Sequence, residues 1–186
     1  MAQAKRTING IIARALVRTQ ADARPARVWA VVDAARDPRI DAAVREPGAR
    51  GICLYGDDVP LALTRAAPWL VPMPPESTFG ATFATMGRGR AWGVVTRSAA
   101  DRQVVAHHFT TLLRAVLPDG REVLFRFYDP RVLRAYLPSC TPDELQQVFG
   151  PCDGFLLEQP GGGQREYVQE SGALVVGEPR WDLWLD

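Results

Sequence analysis

The chain predicts an α/β fold of mixed character: one domain in which a central mixed β-sheet is flanked by helices. Three observations predict it. Short β-branched and aromatic runs such as Val28–Val32 alternate with segments whose apolar residues recur at helical spacing. Helix starts are written out at Asp37-Pro38, Asp129-Pro130 and Thr141-Pro-Asp-Glu144, where a side-chain oxygen can cap and a proline pre-sets φ. Finally, 186 residues with 47% hydrophobic and 23% charged side chains suffice for one well-buried core.

Taken in order, Ile8, Ile11, Ile12, Ala15 and Leu16 repeat at helical spacing with Arg14 and Arg18 turned away. Residues 7–19 are therefore expected to form an amphipathic helix, packed on the sheet or able to detach toward a partner. Val28–Val32 is a buried strand ending at Asp33, a carboxylate suited to a site, a helix cap or an arginine partner. Asp37-Pro38 opens a helix to about Arg45, which Pro47-Gly48 ends, and Gly51–Tyr55 is a second strand. The acids of the Gly56-Asp57-Asp58 turn read as solvated and not as cation ligands. Leu61–Ala67 is a short helix, and Pro68–Pro72, with a proline at each end, is an extended edge segment.

Ser77–Met86 is a weak helix closed by Gly87-Arg88-Gly89-Arg90. That turn has amides and guanidinium groups for a phosphate but lacks P-loop spacing, so it reads as a loop. Trp92–Thr96 is a strand, and Ser98 with Asp101 resembles a capping box for a helix running to about Leu113. Its expected stripe is Val104, Val105, His108, Phe109 and Leu112, with Gln103, His107, Thr111 and Arg114 opposite. The two histidines diverge and do not chelate one metal, because adjacent helical residues do not face each other.

Leu117-Pro-Asp-Gly120 joins strands 114–117 and 121–128 as an antiparallel hairpin. In the second strand Val123, Phe125 and Phe127 alternate with Leu124, Arg126 and Tyr128, which predicts a mid-sheet strand covered on both faces. Arg126 then needs a carboxylate, with Asp129 and Asp33 as candidates, since an unpaired buried charge costs several kcal/mol. After Asp129-Pro130 a short helix is expected to bury Val132, Leu133, Tyr136 and Leu137, and Pro138 ends it. The box Thr141–Glu144 starts another with Leu145, Val148 and Phe149 inside, stopped by Gly150-Pro151. Asp153–Glu158 is a strand, Pro160–Gly163 a turn, and Tyr167–Val176 a hairpin arm before the tail Trp181–Leu185, which is either a docked strand or a surface for a partner.

Composition narrows the function classes. Net charge is +1 and no nucleic-acid motif is present, so the expectation is no nucleic-acid partner. Charge is nonetheless uneven, with ten Lys+Arg against five Asp+Glu in residues 1–50 and two against seven in residues 151–186. No apolar run approaches the ~18 residues of a bilayer span, so neither a membrane partner nor a secretory signal is expected. Cys53, Cys140 and Cys152 are odd in number and lack CxxC spacing, which points to a reducing, cytoplasmic setting without a zinc or redox site. No nucleophile elbow, metal cluster or carboxylate pair stands out, so the expectation is a non-enzyme without cofactor or metal. The alternative is a small α/β enzyme acting through His107 or a cysteine.

The run Leu124-Phe-Arg-Phe-Tyr-Asp-Pro-Arg-Val-Leu133, preceded by Leu-Pro-Asp-Gly and followed by Leu-Pro, resembles the signature of a bacterial family first catalogued as a domain of unknown function. The likeness extends through Ala67–Val71, Ala91-Trp92-Gly93 and the helix of His107-His108, and covers about residues 26–158. Members of that family are adaptor chaperones that load toxic effectors onto the spike of type VI secretion systems. The resemblance implies two partners, a secreted effector protein and a type VI spike protein, and no covalent chemistry. It centres on Arg126, Tyr128, Asp129 and Arg131, which become the candidate partner-binding residues. Residues 159–186 read as a short C-terminal extension where longer relatives carry a helical lobe.

Overall fold

The sheet is built on β1 (Arg27–Asp33), whose two faces feed two separate cores. The computed structural model describes residues 26–117 and 119–179, so the expected helix 7–19 and the tail Trp181–Leu185 lie outside the described residues. In β1 the period of two sends Val28, Ala30 and Val32 to one face and Trp29 and Val31 to the other. Six further strands complete the order β2-β3-β1-β4-β7-β8-β9: β2 (Ile52–Cys53), β3 (Pro68–Pro72), β4 (Gly93–Ser98), β7 (Gly154–Glu158), β8 (Gln164–Glu170) and β9 (Ala173–Gly177). The architecture is a single mixed α/β domain, as expected.

Three expectations are corrected. Every pairing in the large sheet is antiparallel, so its strand directions are not mixed. The expected 114–128 hairpin stands apart as a sheet of its own, and each helical excursion returns the chain beside a neighbour of opposite direction. Nor is β3 an edge: it pairs with β1 on one side and β2 on the other. Its prolines sit at the strand ends, where Trp69, Leu70 and Val71 between them keep their amides, and the Pro68 carbonyl still accepts from Leu54 N.

The largest correction concerns residues 121–128. Glu122–Leu124 (β6) pairs with Arg114–Val116 (β5) in a separate two-stranded sheet, and the chain leaves extended geometry at Phe125. Phe127 and Tyr128 are consecutive yet both enter the same core, which a strand's alternation forbids. A turn closed by Asp129 N–H donating to the Arg126 carbonyl makes this possible.

The helices follow their caps. Asp37 caps α1 (Pro38–Val44), which buries Ile40, Ala43 and Val44. After the single turn α2 (Leu61–Thr64), Ser77 caps α3 (Thr78–Met86), which sends Phe79 and Phe83 into the first core beside Trp92. α4 (Arg102–Leu112) starts after Asp101, and Ser98 does not cap it: its hydroxyl closes the end of β4 by donating to the Pro151 carbonyl and accepting from Ala100 N. The buried stripe is accordingly rotated to Val105, Ala106 and Phe109, leaving Val104 exposed. Asp129 caps α5 (Pro130–Tyr136), where Leu133 is buried and Val132 exposed, and Thr141–Glu144 forms a complete capping box for α6 (Pro142–Phe149).

α1 and α3 cover one face of the sheet, and α4, α5 and α6 the other. Phe109 joins the second core by stacking on Phe127 at 5.1 Å, and each such buried ring contributes about 2–3 kcal/mol of transfer free energy. Space requires glycine at several close approaches, Gly93 and Gly150 among them. A Cβ on Gly93 would lie 2.2 Å from the Val31 carbonyl oxygen, and one on Gly150, already at φ 50°, would meet the His108 ring at 2.3 Å.

Candidate functional site

The end of β1 and the start of α5 meet in a corner built from the Phe125–Arg131 segment. Asp33 closes β1, and its Oδ1 accepts from Ala35 N at 3.1 Å to cap the 3-10 turn Ala34–Arg36. Its Oδ2 accepts from Arg126 Nη2 at 2.5 Å, which decides between the two carboxylates expected for that arginine. Asp129 caps α5 through Arg131 N at 2.9 Å and takes a two-pronged guanidinium from the same residue, Nε to Oδ1 at 2.9 Å and Nη2 to Oδ2 at 2.5 Å.

The burial is lopsided in both pairs. The Asp33 and Asp129 side chains are 3% and 5% exposed, whereas Arg126 and Arg131 are 46% and 51% exposed. Each buried acid thus pins a guanidinium whose outer face is in water. Hydrogen bonding to Asp33 raises the Arg126 pKa, and that to Asp129 raises Arg131. Burial pushes the Asp129 carboxyl up, but its bonds to Arg131 outweigh this and hold it below the ordinary carboxylate value. Tyr128 lies beneath the surface, its ring 5.9 Å from the Arg126 guanidinium carbon, and burial pushes its phenol pKa up. Of the four candidate residues, then, the two arginines face solvent, while Tyr128 and Asp129 position them from below.

Beside Arg131 is an open concavity of about 650 Å³ lined by Phe125, Asp129, Val132, Ala135, Tyr136 and Ser139. The Phe125 and Tyr136 rings meet edge to face at 4.8 Å, giving the hollow an aromatic floor with a cationic rim. The β5–β6 hairpin continues this surface, tied to it by Phe125 N donating to the Leu113 carbonyl, and it exposes Val116, Val123 and Leu124. A second hollow, about 520 Å³, opens at the other end of β1 between Arg27, Pro47, Arg50, Pro72 and Pro74.

Other residues singled out in the sequence have structural partners. The Gly87–Arg90 turn already holds an anion: Glu158, at the end of β7, accepts from Gly89 N and Ala91 N with its two carboxylate oxygens. The sequence named the turn but not the acid that fills it, 67 residues away from Ala91. His107 is exposed, and His108 is half-buried with Nε2 3.0 Å from the Val148 carbonyl. Burial lowers the His108 pKa, opposed by that carbonyl and aided by His107. The cysteines are free thiols; burial pushes Cys152 up to about 12 and raises Cys53 and Cys140 as well, so all three are protonated at neutral pH. Asp57 and Asp58 are exposed in their turn, and among the described residues no three His, Cys, Asp or Glu side chains are grouped as a metal site. Among the described residues no helix is long and apolar enough to cross a membrane.

Fold and corner together define an α/β domain with a paired-arginine surface beside an apolar hollow. The chain belongs to the family described as domain of unknown function DUF4123, whose sequence profile matches residues 28–147, from β1 into α6 and across the whole corner. No curated protein and no solved structure matches it.

Proposed function

We propose that this protein is a non-enzymatic, cytoplasmic adaptor that binds a secreted effector protein and presents it to the spike protein of a type VI secretion system. One observation supports the reading above the others. The segment that carries the family resemblance, Leu124–Leu133, ends as a surface where two guanidinium groups are fixed half-exposed by buried acids, beside an aromatic hollow and an exposed apolar hairpin. Such a surface suits a protein segment with carboxylates and apolar side chains, which gain from a cation already ordered and a hollow already formed.

The test is capture of the effector by tagged protein from the native cell, followed by mass spectrometry, for the parent and for Val132→Asp and Leu124→Asp. Both residues are exposed, so the variants are expected to fold. The reading expects an effector and the spike protein with the parent and at least a roughly tenfold loss with either variant. Equal capture by all three proteins would remove the corner from the binding surface, and a parent that retains neither partner would sink the adaptor reading itself.

A further inference from the structure

Among the described residues the large sheet ends at β2 on one side and β9 on the other, and the two edges are built differently. β2 is two residues long, and next to it Arg102 reaches across to donate to the Arg50 carbonyl at 2.7 Å. β9 is five residues long, Ala-Leu-Val-Val-Gly, with no charge and no proline, and its register against β8 runs unbroken, without a bulge. Natural sheets blunt a long edge with those devices, because its amides and carbonyls template pairing with another chain.

Register decides which backbone groups β9 presents. Ser171 and Gly172 join β8 to β9 with φ of 51° and 82°, the positive angles of a two-residue type I′ turn. In such a hairpin the pair flanking the turn, Glu170 and Ala173, exchanges both backbone hydrogen bonds, and the bonded pairs then alternate to Val168 with Val175 and Glu166 with Gly177. Ala173, Val175 and Gly177 therefore turn their amides and carbonyls to β8, while those of Leu174 and Val176 point out of the sheet. Val175 is 39% exposed on one face and Val176 41% on the other, and Leu174 packs partly against the second core.

We propose that β9 is a strand-accepting edge, which takes up an extended segment of a protein partner that is β-branched at its centre and carries a lysine or arginine where it passes Ala173. The exposed charges of the hairpin select that chemistry. Arg165 is paired with Glu178 at 3.2 Å, whereas Glu170, directly across from Ala173, has no ion-pair partner among the described residues. An added strand lies about 10 Å from Glu170, two strand spacings away, and a long basic side chain reaches the carboxylate over the short alanine. A second copy of the chain lacks that base. If Leu174 and Val176 of two β9 strands pair antiparallel, Gly177 falls opposite Ala173 and Glu178 opposite Gly172, so an acid arrives at the end where Glu170 stands. This edge is separate from the Arg126–Arg131 corner and does not require that the corner bind an effector.

The experiment reads amide hydrogen exchange of the full chain by NMR, with and without a short peptide of alternating valine and threonine that has a lysine at each end. In dilute free protein the Leu174 and Val176 amides should exchange at least roughly tenfold faster than those of Ala173 and Val175. Millimolar peptide should slow Leu174 and Val176 at least roughly tenfold and leave Ala173 and Val175 unchanged, and its N-methylated counterpart should do neither. Val176→Pro deletes an outward N–H but no bond to β8, so it should keep the fold and abolish the protection of Leu174; if it does not fold, the N-methylated peptide decides alone. Glutamate in place of the peptide's lysines should weaken protection about threefold, and Glu170→Lys should reverse that preference. Slow exchange of Leu174 and Val176 in the dilute free chain overturns the proposal, because the edge is then already covered. Protection that grows with protein concentration gives the edge to a second copy and overturns it too. So does the absence of protection at millimolar peptide, equal protection by the N-methylated peptide, or indifference to the peptide's charge.

Discussion

Asp33 and Asp129 are each nearly sealed from water against an arginine that is half in it, so the acids, not the arginines, bear the cost of separation. Removing Arg126 leaves a buried carboxylate with the Ala35 amide, and solvent access to the arginine tempers the loss; Arg126→Ala should cost about 1–2 kcal/mol in urea melts. A loss under about 0.5 kcal/mol would mean that Asp33 is satisfied without it. Asp129 makes a pH prediction. Its folded pKa is lowered, so its stabilisation is fully present above the ordinary carboxylate value of about 3.9 and is lost as pH falls through the lower folded value. Asn caps as well as Asp but cannot form the ion pair with Arg131, so Asp129→Asn should cost about 1 kcal/mol at pH 7 and progressively less as pH falls below the ordinary carboxylate value. A gap that is constant with pH would mean that capping is the residue's whole contribution.

At the scale of elements, the cap signals were the most legible part of the sequence. Asp37-Pro38, Asp129-Pro130 and the box at Thr141 each start a helix where the local chemistry says, because a cap is decided within four residues. Thr141→Ala should therefore cost about 1 kcal/mol by thermal or urea melting, with Thr141→Ser nearly neutral. The segment after Leu124 was misread for the opposite reason. Its alternation fits a covered strand, but its rings answer to Phe109 and Tyr136, partners no local window contains. The same limit applies to the site: Arg126 announced a missing carboxylate through its apolar neighbours, whereas nothing local connects Glu158 with the Gly89 and Ala91 amides. On the hairpin, Leu124→Asp should leave stability within about 0.5 kcal/mol, since the side chain is half-exposed, and any larger drop in the melt would show that it packs.

For the molecule as a whole, class and core size were readable from composition and pattern, but strand order was not. Pairing of β1 with β3 and β4, residues far apart in the chain, follows from which faces must be covered on both sides, a property of the assembled sheet. The close approach of β1 and β4 at Gly93 has a consequence for how the family can vary. Backbone atoms of Val31 and Val32 occupy the space where any side chain at residue 93 would begin, and main-chain atoms cannot rotate aside. Gly93→Ala, the smallest possible change, should cost about 2 kcal/mol or more by forcing the two strands apart. In a library of random variants selected only for folding, residue 93 should come back as a single letter while its neighbours Val94 and Val95 exchange among aliphatic residues, so one gap between two strands acts as a filter on every sequence that can inherit this sheet.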